Sequence, residues 1–307
     1  MPRQKRLLLL SDLMLLAVAV VWGSSYGVVK SALVFYPVLG LLALRFGITF
    51  VVLSPTLARL RHADRAALRG VLGTGVLLLG IFLCETFGVL LTRAANAAFL
   101  ISLCVVLTPL VEWLLLQRRP GAIEWAAVAL SLLGAWLLAG DGEFVLNPGD
   151  GLILAAAALR ALMVCVTKRV MRAAPMPALT VTAVQSGVVA LGSAAAALVL
   201  VPAQWQPMPS LSGHLAFWGC VLWLVVACTL FAFFAQNYAI KRSRPTRVAL
   251  LMGSEPAFGA LFASLWLGER IPATAWAGGG LIVAASLLAT VRWRKPVAID
   301  APQGSQA

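Results

Sequence analysis

The chain is a succession of long apolar runs separated by short polar gaps. The runs centre near residues 21, 47, 81, 105, 131, 160, 190, 225, 256 and 282. Each approaches the roughly 20 residues with which an α-helix crosses the hydrocarbon core of a bilayer. The pattern predicts ten such helices, over about 12–32, 37–57, 70–92, 95–116, 121–139, 150–170, 178–201, 213–238, 246–267 and 271–291. Turn formers punctuate them: Pro37, Pro120-Gly121, Asn147-Pro148-Gly149, Pro175 to Pro177, and the proline-rich stretch 202–209.

Charge adds direction to this pattern. Of 24 Lys and Arg, 19 fall in every second gap, counting the chain ends. These gaps hold Arg3, Lys5 and Arg6; Arg59 to Arg69; Arg118-Arg119; Lys168 to Arg172; Lys241 to Arg247; and Arg292, Arg294 and Lys295. The intervening gaps hold only Lys30, Arg93 and Arg270. Cytoplasmic loops of membrane proteins carry the excess of Lys and Arg, so both chain ends are expected in the cytoplasm. Composition agrees: 61% of residues are hydrophobic, 11% are charged and mean hydropathy is +0.95, whereas soluble domains are about 45–50% apolar. Ten spans leave no room for a separate soluble domain.

The net charge of +13 lies in short loops, which fits topology signals and anionic-lipid contacts rather than nucleic-acid binding. The five cysteines, Cys84, Cys104, Cys165, Cys220 and Cys228, are unclustered within apolar runs. They read as small core residues, with neither a disulfide framework nor a metal site. No convincing small-residue cleavage site follows the basic N-terminus, so the first run reads as a span.

The loop around 140–150 divides the predicted spans into two sets of five. An odd number per half places the second half upside down relative to the first. Trp22, Gly23, Gly27 and Lys30 match Arg160, Ala161, Cys165 and Lys168 at identical spacing. Pro109 echoes Pro256 and Trp125 echoes Trp276, with a slip of about one helical turn between the two pairs. The domains expected are a first repeat over 1–140, a second over 149–295, and a disordered cytoplasmic tail over 296–307. Inverted repeats place their substrate site near the midplane, between the halves.

Several segments resemble the drug/metabolite transporter superfamily, specifically its ten-helix EamA-type members. They are WGSSYGVVK in the first span, Pro37 followed by Leu44-Arg45-Phe46, RAANAAFLISLCVVLTP, Gly149-Asp150, and QNYAIKRSRPTRVALLMGSEP with the later LGER. The likeness runs from about residue 12 to 292. Two departures stand out: Gln117-Arg118-Arg119 replaces a Gly-Glu-Arg-like ending, and Arg160 stands where many members place Trp. The resemblance implies an all-α polytopic membrane protein of two inverted five-helix repeats. It further implies a secondary transporter of the bacterial inner membrane that exports small metabolites, amino acids or related zwitterions foremost, by alternating access. Efflux of hydrophobic or cationic drugs is the alternative transport reading, and a non-transporting membrane scaffold is the other class.

Charges inside spans sharpen the picture, because each needs a partner or a watery cavity. Arg45, Glu85, Arg160 and Glu255 lie at depth. Arg160 suits a substrate carboxylate, which a guanidinium grips in bidentate fashion, or a structural pair with Glu85 or Glu255. Glu85 is a candidate proton-coupling or substrate-amine site, or one half of a bridge that locks its helix. Glu255, before Pro256, reads as structural pinning at a kink, and Arg45 as a structural pair or helix-end anchor. Glu112 and Glu124 sit nearer span ends, where interfacial solvation accounts for them. The candidate substrate site comprises Arg160, Glu85, Ser25, Tyr26, Asn96, Trp22 and Asn237. Gly23, Gly27, Pro109, Glu255 and Pro256 are the candidate structural and gating positions. Gln236, Tyr238 and Ser102 are further polar residues that could line a path, and Trp223 and Phe234 further walls.

The sequence has no phosphate-binding Gly-x-x-x-x-Gly-Lys-Ser/Thr loop, no metal-spaced His/Cys/Glu cluster and no nucleophile–base arrangement at depth. An enzyme, a cofactor, a bound metal and a nucleic-acid partner are therefore not expected. The expected partners are a small-molecule substrate and membrane lipids, with the chain a monomer or weak homodimer.

Overall fold

The structure is a computed structural model that describes residues 2–62, 64–92, 94–139, 147–199, 206–267 and 272–291. Among them the regular structure is helical throughout. The helices are α1 (Pro2–Leu33), α2 (Val38–Leu53), α3 (Arg65–Leu91), α4 (Ala94–Ser102), α5 (Cys104–Leu116), α6 (Ala122–Ala139) and α7 (Pro148–Ala173). They continue with α8 (Ala178–Val199), α9 (Leu215–Val225), α10 (Ala232–Arg242), α11 (Pro245–Met252), α12 (Glu255–Leu267) and α13 (Ala273–Val291). A 3₁₀ stretch, Ser54–His62, follows α2, and a π-helical turn, Val226–Phe231, joins α9 to α10. The expected tail over 296–307 lies outside the described residues.

Seven helices are long and apolar enough to cross a membrane by length and composition. Two more apolar helices, Ala122–Leu138 and Ala273–Leu288, are shorter. The run expected at 246–267 is divided into α11 and α12 by Gly253 and Ser254. Pro256 has no N–H to continue α11, and the local donors turn back instead: Gly253 N to Ala249 O at 2.7 Å and Ser254 Oγ to Leu251 O at 2.7 Å. The run expected at 95–116 is also divided, at Leu103, whose N–H reaches Leu100 O at 3.2 Å in a tighter turn. Pro109, one of the candidate structural positions, lies inside α5 and does not divide it.

The start of α7 follows from its sequence. Asn147 and Asp150 form a reciprocal capping box around Pro148, satisfying orphan N–H groups at the helix start. Thr92, which ends α3, donates its hydroxyl to Asp150 Oδ1 at 2.5 Å and ties α3 to α7 there.

Helix pairing follows a simple pattern. α6 runs along α13 and α2 along α8; α7 lies between α3 and α5, while α1 lies against α9, α10 and α12. Lipid tails are as apolar as leucine, so close packing rather than the hydrophobic effect drives such association. Small residues supply the closeness. A Cβ on Gly134 would lie 2.6 Å from Gly278 O, and one on Gly278 would lie 2.5 Å from Gly134 O. Likewise a Cβ on Gly23 would lie 2.7 Å from Gly259 N, where α1 crosses α12. Gly27, one turn further along α1, faces the ring of Phe262 at 3.8 Å. The free cysteines are buried or half-buried in this packing, as their apolar settings suggested.

Because backbone atoms block both sides of the Gly134–Gly278 contact, Gly134→Val should destabilise the protein by at least about 2 kcal/mol through overpacking. Gly47→Ala, where nothing lies within 4 Å, should leave stability unchanged or slightly raised. Thermal unfolding of the two variants in detergent distinguishes these outcomes.

Candidate functional site

Between α1, α2, α3, α5, α7, α10 and the α11–α12 break lies a cavity of ≈ 120 Å³. At its centre three charges from three helices meet. Arg160 of α7 donates Nη2 to Glu85 Oε2 of α3 at 3.0 Å and Nη1 to Glu255 Oε2 of α12 at 3.3 Å. All three are largely enclosed, with side-chain exposures of 16%, 14% and 5% for Arg160, Glu85 and Glu255. The Arg160 guanidinium also lies over the Trp22 ring, 5.4 Å from its centroid. The sequence offered Glu85 or Glu255 as the partner of Arg160, and the structure uses both. Glu255 reaches the site because the Gly253–Ser254 break restarts the helix there and puts its carboxylate in the first turn of α12. The helix dipole favours an anion at that end.

A second guanidinium, Arg45, stands in the cavity wall. It donates Nε to Thr229 Oγ1 at 2.6 Å and Nη2 to Cys228 O at 3.1 Å, and packs over Phe46 and Phe82. Among the described residues no carboxylate pairs with it, and neutral acceptors and ring faces offset its burial instead. The π-helical turn makes this possible, because its altered register leaves Cys228 O free to accept from both Arg45 and Trp22 Nε1, the latter at 3.0 Å. Trp22, Phe233 and Phe82 line the cavity and Phe46 packs against Phe82, with successive ring centroids 5.4, 6.1 and 4.7 Å apart.

The other expected positions divide. Trp22, Ser25 and Pro256 line the cavity. Ser25, Ser102 and Thr108 line it too, but their hydroxyls donate to the Trp22, Phe99 and Cys104 carbonyls of their own helices. The side chains of Tyr26 and Asn96 lie outside the described residues. Asn237 faces away from the cavity: its Nδ2 donates to Thr182 Oγ1 at 3.0 Å and to Gln185 Oε1 at 2.9 Å, pinning α10 to α8. Its neighbour Gln236 takes the cavity side, a turn beyond Phe233. Adjacent residues of a helix point about 100° apart, so sequence proximity alone does not say which of the two polar residues faces inward.

One face of the bundle is sealed by charge. Arg247 of α11 donates Nε to Asp12 Oδ1 at 3.0 Å and its Nη2 to Asp12 Oδ2. Glu112 accepts from Thr246 N at 2.9 Å and Thr246 Oγ1 at 2.6 Å, capping α11, and pairs with Arg118 at 2.9 Å. Arg118 also pairs with Glu124 at 2.7 Å, and Glu124 lies 3.7 Å from Arg244. Glu112 and Glu124 are therefore buried and paired, contrary to the expected interfacial solvation. The helix ends pack on one another here and exclude the solvent that would otherwise hydrate them. Lys168 adds a cap, donating Nζ to Ile240 O, Lys241 O and Ser243 O at 2.8, 3.1 and 2.8 Å at the end of α10. At the opposite face Lys30, Leu33, Val89 and Leu90 rim the cavity.

These features define a polytopic membrane protein with a charged, enclosed central site that is sealed more tightly at one face. The EamA-like transporter family model matches residues 9–140 and 147–291. The chain belongs to that family, and it is a multi-pass membrane transporter rather than an enzyme. It is similar to an uncharacterized transporter of Archaeoglobus fulgidus, 26% identical over 92% of this chain and 87% of the relative. It is also similar to the inner membrane transporter YedA of Escherichia coli, 27% identical over 90% of this chain and 89% of the relative. A shorter match joins it to the threonine/homoserine exporter RhtA of Escherichia coli, 30% identical over 61% of this chain and 60% of that protein. A crystal structure with 23% sequence identity superposes with a TM-score of 0.73 over 91% of this chain and 96% of its own, so the fold is shared.

Asp12 and Arg247 are 6% and 5% exposed, so Asp12→Ala, which strips Arg247 of that carboxylate, should destabilise by about 3 kcal/mol. The double variant Asp12→Ala/Arg247→Met should lose less than the sum of the single losses. A thermal-melt double-mutant cycle checks the sign of that difference.

Proposed function

We propose that this transporter exports small zwitterionic metabolites, amino acids foremost, across the bacterial inner membrane by alternating access. The observation that carries the reading is the central cluster. Glu85, Glu255, Arg160 and Arg45 present two negative and two positive groups around one cavity. A solute bearing a carboxylate and an ammonium can replace these internal contacts one for one and leave the buried charge balanced, which a low-dielectric interior requires. Arg160 receives the carboxylate. Glu85 receives the ammonium and is the proton-coupling group. The likeness to RhtA supports the substrate class.

In the proposed architecture the two five-helix repeats, 1–140 and 149–295, are inverted in ten spans with both ends cytoplasmic. Helix pairing supports this. Exchanging the halves returns the α6–α13 and α2–α8 pairs to themselves. It also turns the α3–α7–α5 grouping into α9/α10–α1–α12. The sealed face, rich in basic residues, is then cytoplasmic, and the rim at Lys30 and Val89 faces outward. A cationic-drug substrate is the competing reading, favoured by the −1 balance of Glu85, Arg160 and Glu255 taken without Arg45.

Uptake of radiolabelled threonine into proteoliposomes, driven by a proton gradient, tests the proposal. Arg160→Ala should lower the rate at least about tenfold, the value of one lost charge-assisted hydrogen bond. Glu85→Gln should abolish the response to the gradient while leaving exchange of labelled for unlabelled substrate measurable. Transport of a lipophilic cation but of no amino acid would overturn the zwitterion reading. Wild-type-like transport by Arg160→Ala would remove Arg160 from the site.

A further inference from the structure

The central charges hold the two ends of a zwitterion, but they do not say which zwitterion. Gln236 lines the same cavity and is 2% exposed, yet its Oε1 has no hydrogen-bond partner among the described residues. A buried carbonyl left in this state is costly and calls for a reason. Local relaxation is a poor one. The Asn237 amide holds α10 in rotation through Thr182 and Gln185, so the helix cannot turn Gln236 away. Trp22 and Phe233, which line the same cavity, carry aromatic rings, and the one indole N–H is already donated to Cys228 O. A carboxamide is neutral and carries both a donor and an acceptor, and rotation about its last bond exchanges them. It therefore suits a neutral hydrogen-bonding group and gains nothing from a hydrocarbon.

On the zwitterion reading above, we propose that Gln236 is the specificity-determining residue of the site. It pairs with a hydroxyl or carboxamide in the substrate side chain, so the protein prefers hydroxylated or amide amino acids to apolar isosteres. Sites built to hydrogen-bond a group reject analogues that lack it, because their own polar atoms are then left unpaired.

The test is competition against labelled threonine in proteoliposomes, using threonine against valine and asparagine against leucine, pairs that match closely in size. The wild type should favour the polar member by about threefold to tenfold, the range of one neutral hydrogen bond. Gln236→Leu should bring both ratios close to 1 while still transporting valine. It should also melt about 2 °C higher, because an unpaired buried amide is removed. A purely structural Gln236 would melt lower on substitution, and that result overturns the proposal, as does a retained preference. Gln236→Met provides the same readout if the leucine variant does not fold. A wild type that transports amino acids without preference sinks this inference alone, whereas one that transports none sinks it together with the zwitterion reading.

A separate observation concerns the two faces. At the sealed face Lys168 of α7 caps the end of α10, and the two helices touch there. Lys30 of α1 occupies the position matching Lys168 in the spacing shared by the halves. The end of α3 matches the end of α10. Thr92 and Ser243 are both extended C-caps whose N–H groups turn back to Gly88 O and Ala239 O. Counting back from these caps, Val89, Leu90 and Thr92 correspond to Ile240, Lys241 and Ser243. Yet α1 and α3 stand apart across the cavity mouth, with Lys30, Val89 and Leu90 on its rim.

On the inverted-repeat reading, the geometry points to Lys30 as the latch of the opposite face, capping the Val89, Leu90 and Thr92 carbonyls when that face closes. Lys168 opens as Lys30 shuts, so the two compete. Spin labels at Val34 and Leu91, exposed by 80% and 59%, report the α1–α3 distance in a background with the native cysteines replaced. Lys30→Met should deplete the short-distance population about tenfold, and Lys168→Met should enrich it by a similar factor, each losing a charge-assisted cap. Lys30→Arg should restore the wild-type distribution. Shifts of the same sign in both methionine variants, or no shift in either, overturn the latch.

Discussion

A guanidinium inside a hydrocarbon slab is the constraint on which the rest of this structure turns. Arg160 sits at the middle of α7, where an uncompensated charge costs several kcal/mol. Its compensation comes from helices far apart in sequence, through Glu85 of α3 and Glu255 of α12. Those two ion pairs bring α3, α7 and the restarted half of the α11–α12 segment to one point, and the cavity is the space left around it. The Gly253–Ser254 break belongs to the same constraint, because it places Glu255 in a first helical turn, where the backbone field favours its charge. Arg45 answers the same demand differently, with ring faces and with carbonyl and hydroxyl oxygens that the π-helical turn makes available.

Charge is handled differently at the two faces, and this difference gives the bundle a direction. At one face, Asp12–Arg247, the Glu112–Arg118–Glu124–Arg244 network and the Lys168 cap join helix ends into a closed, nearly neutral layer. At the other, hydrogen bonds from Tyr36 to Gln206 O and from Trp218 to Pro209 O staple the loops, while the rim of the cavity remains spread. On the proposed alternating-access reading, the seals must be exchangeable. Ion pairs and lysine caps at helix ends suit that role better than interlocked side chains, because water can take over their partners when they part.

Much of the fold was legible in the residues. The apolar runs predicted helices that the structure forms, although α1 starts at Pro2 rather than near 12 and two of the runs are divided. Gly23, one of the candidate structural positions, is where α1 comes close to α12. The runs did not show where helices break internally, since Leu103 carries no local signal and Pro109 sits inside α5 without interrupting it. At the site, depth within apolar runs was enough to single out Glu85, Arg160, Glu255 and Arg45. The choice between Asn237 and Gln236 was not legible, because it depends on the rotation of α10, which Thr182 and Gln185 set from another helix. Glu112 and Glu124 were misread for a related reason: position near a span end does not reveal whether a neighbouring helix end covers it.

The sequence by itself determined that this is a helical membrane protein, which residues carry charge into its interior, and where its basic loops lie. Those properties follow from chain-local quantities, namely hydropathy over about 20 residues and the distribution of Lys and Arg. Only the tertiary structure decided that one guanidinium is shared by two carboxylates, that Gln236 faces the cavity, and that one face is locked while the other is spread. Each of these depends on which helices meet and at what rotation, and in lipid that is settled by close packing and by pairing every buried charge.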